Sequence, residues 1–202
     1  MSVARAGAGA GCASGYAKPF LIFPSLVALL LAGCTALAPP QRPTASDGGF
    51  ALEGRIAVRY GAENLSGLMS WTHATAGDDI GLASPLGNQL ARLTRSTDGV
   101  TLTQSNQEVF RAADAESLTE IRLGWRLPLA GLGDWVQGRA AAGQVEDARR
   151  DDAGRLRFLA QSDWRIEYSY EDAAARLPKR LILQYVKAAE PLEIRLVIDR
   201  WL

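Results

Sequence analysis

The chain has 202 residues, with 22 basic and 22 acidic side chains, one histidine, two cysteines and five tryptophans. That length suits one domain with a sizeable apolar core, and a formal charge of zero lacks the footprint of a nucleic-acid binder. One histidine, and a single cysteine beyond the first twenty residues, leave the usual His/Cys metal sites without ligands.

Residues 1–19 are weakly basic, with Arg5 and Lys18 and no acid, and Phe20–Ala32 then reads FLIFPSLVALLLA without a charge. Thirteen apolar residues fall short of the roughly twenty that a bilayer-spanning helix needs, but match a signal-peptide core. The segment ends in Leu31-Ala32-Gly33-Cys34, which resembles the lipobox of bacterial lipoproteins. The resemblance implies a signal peptide over 1–33, cleavage after Gly33 and acylation of Cys34. Thr35 stands where an aspartate would retain an enterobacterial lipoprotein at the inner membrane, so the resemblance also implies export to the outer membrane. Cys12 leaves with the signal; the mature chain then keeps only the anchor cysteine and forms no internal disulfide. Residues 35–49, TALAPPQRPTASDGG, read as a flexible tether able to reach about 45 Å when stretched.

From Ala51 the apolar period becomes two. Leu52, Gly54, Ile56, Val58 and Tyr60 fall on one face of a strand, and Glu53, Arg55 and Arg59 on the other. A turn at GAEN and a strand over Leu65–Trp71 follow. Further strands are predicted at Ile80–Ala83, Gln89–Ser96, Val100–Gln104 and Glu108–Arg111, then Arg155–Gln161, Trp164–Tyr170, Lys179–Lys187 and Leu192–Trp201. Two helices interrupt them: one capped by Asp114, with Ala115, Leu118 and Ile121 at intervals of three up to Gly124, and one over Leu129–Gln137. Closely spaced strands of this kind predict a barrel or strongly curved antiparallel sheet, α+β in class, over one domain of residues 50–202. The helices must cover something apolar, either the mouth of the barrel or its convex face.

No catalytic constellation is legible. His73 is the only base for a Ser-His-Asp triad, and neither Ser66 nor Ser162 sits in a nucleophile motif, so His73 reads as an exposed residue at a strand end. The run Glu146 to Asp152 brackets Arg149 and Arg150 and reads as a solvated turn. No cofactor, metal or enzymatic activity is expected.

The string GWRLPLAGLGDWVQG at Gly124–Gly138 is more specific. It stands in company with Ser84-Pro85-Leu86-Gly87, Gln161-Ser162-Asp163-Trp164, Leu177-Pro178 and the terminal Trp201. In this order, over about residues 51–202, these resemble the LolB family of outer-membrane lipoprotein receptors. The resemblance implies a partly open antiparallel β-barrel with a helical lid over a hydrophobic cavity. That cavity accepts acylated lipoprotein cargo from the periplasmic carrier LolA and releases it into outer-membrane lipid, without catalysis. It further implies a membrane-inserting leucine on a protruding loop, at the position of Leu86. The chain departs from the family by being shorter between Trp71 and Ile80, where the His73–Gly77 turn has no family match.

Three acyl chains carry on the order of 45 methylenes, so leaving them in water would cost about 35 kcal/mol. Residues able to shelter them are Ile56, Val58, Leu68, Trp71, Leu82, Leu93, Leu118, Ile121, Leu127, Trp135, Leu183 and Leu196. For any one of them, ordinary core is the first reading. A monomer is expected, with no nucleic-acid partner. Two other readings stay open: an outer-membrane lipoprotein of structural or assembly role, whose interior would be filled by side chains, and an anchored hydrolase using His73.

Overall fold

The computed structural model describes residues 49–202. The signal, Cys34 and nearly all of the tether lie outside the described residues. Eleven strands and two helices occur, with β1 (Phe50–Tyr60), β2 (Glu63–Ala74), β3 (Gly77–Ala83), β4 (Gln89–Ser96), β5 (Gly99–Gln104) and β6 (Val109–Ala112) preceding α1 (Ala115–Leu123) and α2 (Leu129–Trp135). After the helices come β7 (Val145–Arg150), β8 (Leu156–Gln161), β9 (Trp164–Ser169), β10 (Arg180–Tyr185) and β11 (Leu192–Trp201).

All the strands join one sheet in the order β6-β5-β4-β3-β2-β1-β11-β10-β9-β8-β7. Each neighbouring pair is antiparallel, because consecutive strands on either side of the helices connect directly and the last strand returns beside the first. Ile56 faces Leu196 and Val58 faces Ile194 across that seam, so the two most regular apolar alternations in the sequence form the centre of the sheet. The register shifts between Glu53 and Gly54, between Leu82 and Ala83 and twice in β7, as bulges that add twist and bend the strands. β6 and β7 remain edges that pair with only one neighbour, so the barrel is partly open.

Every strand but the two edges buries one face. In β9 the pattern is strict: Trp164, Ile166 and Tyr168 are buried while Arg165, Glu167 and Ser169 are exposed. The inner face packs against α1, α2 and the segment between them, making one core that runs from Phe50 to Ile198. Trp135 stacks obliquely toward Trp164, which in turn meets Tyr185, and Phe50 packs edge-on against Trp71 and Trp201. The helices therefore fill the inside of the curve and not its convex face.

Three local readings differ from expectation. The GAEN turn shortens to Gly61-Ala62, and the poorly matched His73–Gly77 stretch becomes a two-residue turn at Thr75-Ala76, which lengthens β2 and β3. The charged run that reads as a turn is β7, whose six residues are all exposed. Its strand character comes from pairing with β8 rather than from any apolar alternation.

Candidate functional site: an apolar interior under a helical lid

The lid is shaped by a few polar contacts. Asp114 Oδ1 accepts from the Ser117 backbone N–H at 2.7 Å and starts α1. Gly124, at φ 81°, ends it, a conformation that glycine adopts without steric cost. The buried Thr119 hydroxyl donates to the Ala115 carbonyl at 2.8 Å and accepts from the Leu127 backbone N–H at 2.9 Å. That second bond folds the segment after α1 back beneath the helix, turning Trp125 and Leu127 inward.

The two halves of the lid are held differently. Trp135 Nε1, at the end of α2, donates to Gln161 Oε1 at 3.0 Å, and the same amide exchanges two 2.9 Å bonds with the Ala141 backbone. This buried bracket pins α2 to β8. The polar bonds of α1 stay inside the lid: Glu116 accepts from Ala130 N–H at 3.1 Å, and Glu120 pairs with Arg126 at 3.1 Å. Toward the sheet, α1 offers apolar contact and the Arg122 guanidinium 3.8 Å over the Phe110 ring.

Beneath α1 lies an apolar patch walled by Ile56, Met69, Ile80, Leu82, Ala91, Leu93 and Leu102 from the sheet and by Thr119, Leu123, Trp125 and Leu127 from the lid. Its free volume is about 10 Å³, hardly room for one water. Side chains fill it, as the structural or assembly reading also expects.

Of the residues expected to shelter acyl chains, Ile56, Leu82, Leu93 and Leu127 line this patch. Val58, Trp71, Leu118, Trp135, Leu183 and Leu196 are buried in the surrounding core. Leu68 and Ile121 are corrections. Leu68 and Trp71 lie three apart on one strand and so point to opposite faces; Trp71 is inside, and Leu68 is 42% exposed outside. In α1 the buried stripe is Ala115, Leu118 and Thr119, which leaves Ile121 75% exposed. Met69, Ile80 and Leu102 were missed, although alternation from Trp71, Leu82 and Val100 places each on an inner face. Trp125 and Leu127 turn inward only because Thr119 bonds the chain between the helices.

Leu86 occupies the tip of the β3–β4 turn and is 90% exposed. The turn is closed by Ser84 N–H to the Asn88 carbonyl and Gly87 N–H to the Ser84 carbonyl, both at 2.8 Å, which hold the tip outward.

His73 is not an exposed strand end. Its Nδ1 lies 2.6 Å from Asp78 Oδ1, a carboxylate that also accepts from Trp71 Nε1 at 2.8 Å and from Arg95 Nε at 2.5 Å. Its ring stacks on Phe50. Asp78, with a side chain 1% exposed, thus ties β2, β3 and β4 together. The Tyr168 hydroxyl is buried without a hydrogen-bond partner among the described residues, and burial pushes its pKa up, so it stays neutral.

A half-open antiparallel barrel whose inside is apolar and roofed by helices defines the molecule as a protein with a lidded hydrophobic interior. The sequence comparisons show its family. The family model described as outer membrane lipoprotein LolB matches residues 49–201, and the chain belongs to the LolB family. The outer-membrane lipoprotein LolB of Thiobacillus denitrificans is 38% identical over 178 residues, covering 87% of this chain and 93% of that protein. The LolB of Cupriavidus necator is 38% identical over 178 residues (85% and 90%), and that of Stutzerimonas stutzeri 36% over 198 residues (90% and 94%). Among solved structures, a LolA superfamily protein from Nitrosomonas europaea aligns with a TM-score of 0.48 at 10% identity, covering 78% of this chain and 86% of that one.

Proposed function

We propose that the protein is a lipid-anchored receptor of the outer membrane that takes acylated lipoproteins from a soluble carrier of the LolA type and delivers them to the membrane, without catalysis. Membership of a family named for outer-membrane lipoproteins supports the location, and the lipobox at Cys34 supports the anchor. The observation that carries the reading is the apolar patch under α1, a helix held to the sheet by apolar contact and one cation–π pair.

Such a patch admits an acyl chain by lifting its lid. Exposing Leu118, Leu123, Trp125 and Leu127 costs roughly 6–12 kcal/mol, at about 1.5–3 kcal/mol per side chain. One chain of about fifteen methylenes regains about 12 kcal/mol on entering. An acyl chain is therefore sufficient to open the lid, and an empty receptor closes. The α2 bracket stays in place as the fixed side of the mouth. Apolar walls impose no directional bonds, so they accept cargos that differ beyond their lipids. Leu86, on its closed turn, is the residue that enters the bilayer when cargo leaves.

The test loads the carrier with a labelled triacylated lipoprotein, adds this protein without nucleotide, and follows the label onto the receptor and then into membranes. Movement of the label is expected. Leu86→Glu is expected to fold and accept cargo as the unaltered protein does, and to deliver it poorly. Cargo that stays on a competent carrier would refute the receptor reading; equal loss of acceptance in Leu86→Glu would refute the role given to that leucine.

A further inference from the structure

The outer face of the sheet carries a second apolar feature that the interior does not use. Cross-strand pairing lines up Ala83, Leu68, Arg55, Val197 and Arg180 in one row over five strands, with Ala57, Arg195 and Ile182 in the next. Short and apolar side chains thereby lie between three guanidiniums. Ala57, Leu68 and Val197 floor an open trough of about 320 Å³, whose lining includes Arg55, Arg180 and Arg195 and no carboxylate. Pro85 closes one end. A Cβ at Gly67 would strike the Ala83 carbonyl, and its absence lets the end of β3 and the turn pack down against β2. The next residue, Leu86, is the most exposed large apolar side chain of the described residues, and Leu68 in the trough is also exposed.

The three arginines differ in what holds them. Asp199 binds Arg55 Nη2 at 2.8 Å, and Glu193 binds Arg195 Nε at 2.6 Å. Arg180 is exposed, and its guanidinium has no hydrogen bond or ion pair among the described residues. A free guanidinium at the rim of an apolar trough, beside an apolar tip, matches one environment: a bilayer interface, with phosphate for the cation and headgroup depth for the leucines.

We propose that this outer face docks on bilayers containing anionic phospholipid, with lipid phosphates received by Arg180 and Arg195 and with Leu86 and Leu68 entering the interface. The expected anchor at Cys34 makes a bilayer the partner always within reach, about 45 Å along a stretched tether. The inference rests on the receptor reading for its purpose, since it presents the turn that releases cargo to the membrane that takes it. Docking by the outer face leaves the lid on the other side of the sheet free for the carrier.

The test uses the chain from residue 34 onward with Cys34→Ser, so that no acyl anchor masks binding; no described core residue precedes Phe50, so this chain holds the whole core. Co-sedimentation is measured with vesicles of phosphatidylcholine alone and with one third phosphatidylglycerol. Binding is expected only with the anionic vesicles, and to weaken as salt rises. Each arginine neutralised near an anionic surface should weaken binding about fivefold, so Arg180→Gln with Arg195→Gln loses about 25-fold. Arg111→Gln, the same charge change on exposed β6, is expected to change binding less than twofold. Equal binding to neutral vesicles, no loss in the double variant, or the same loss in Arg111→Gln would overturn the proposal. Cargo acceptance from the carrier is measured separately without vesicles, so its failure counts against the receptor reading and leaves the vesicle result to judge the docking face.

Discussion

Replacing Leu127 by alanine tests whether the patch beneath α1 is a closed binding site or ordinary core. Leu127 is 5% exposed and walls the patch from the lid side. Truncation leaves a void in packed surroundings and should cost about 2–5 kcal/mol of stability. For a domain of this size that lowers the melting temperature by roughly 4–20 °C. The same change removes about 2 kcal/mol of burial that holds the lid down. If lifting the lid precedes entry of an acyl chain, that energy is returned to binding, and a fluorescent sixteen-carbon fatty acid should bind about thirtyfold tighter. Leu183→Ala supplies the comparison: this residue is fully buried on β10 and does not line the patch. It should lose similar stability and leave the fatty-acid affinity unchanged. Weaker or unchanged binding in Leu127→Ala, or the same gain in Leu183→Ala, would refute the lid argument.

Three further outcomes follow from the polar contacts. Asp78→Ala leaves the buried Trp71 Nε1 without its acceptor and the part-exposed Arg95 without its partner, and should cost about 1–3 kcal/mol, read as a fall in melting temperature. Asp114→Ala removes the cap of α1; the loss should be about 1 kcal/mol, or roughly 2–4 °C by thermal melting. The Glu193 carboxylate is held below its ordinary pKa by the Gln184 side-chain amide first and by Arg195 and Arg59. A depressed folded value means that its stabilisation is complete above the unfolded pKa of about 4.3 and is lost as pH falls through the folded value. Glu193→Gln should therefore flatten the acid limb of a stability–pH curve below about pH 4; an unchanged limb would count against the contact.

Much of the architecture was legible because alternation is a local signal. β4 and β11 run over the residues expected, and β1 and β9 differ only at an end, since strict alternation of apolar and charged residues demands a strand with one wet face. Asp114 and Gly124 bracket α1 as read, because capping is chemistry within four residues. The same rule, applied consistently, excludes Leu68 from a face shared with Trp71. β7 was illegible for the opposite reason: with every side chain in water it has no apolar pattern, and only the free edge of β8 makes it a strand.

The sequence by itself determined the apolar alternation, the caps, the signal-like leader with its cysteine and the family motif, all of them short-range or linear features. Tertiary structure decided what those features face. Pairing of β1 with β11, 134 or more residues apart along the charged pairs Arg59–Glu193 and Arg55–Asp199, sets which strands share the inner wall. The Thr119–Leu127 bond turns the linker inward, and the Gln161 bracket fixes one helix of the lid while apolar contact and one cation–π pair hold the other to the sheet. Whether a leucine is core, patch wall or exposed tip depends on such long-range contacts, because hydrophobicity drives each of them inward alike and the short β3–β4 turn leaves Leu86 no inside to reach.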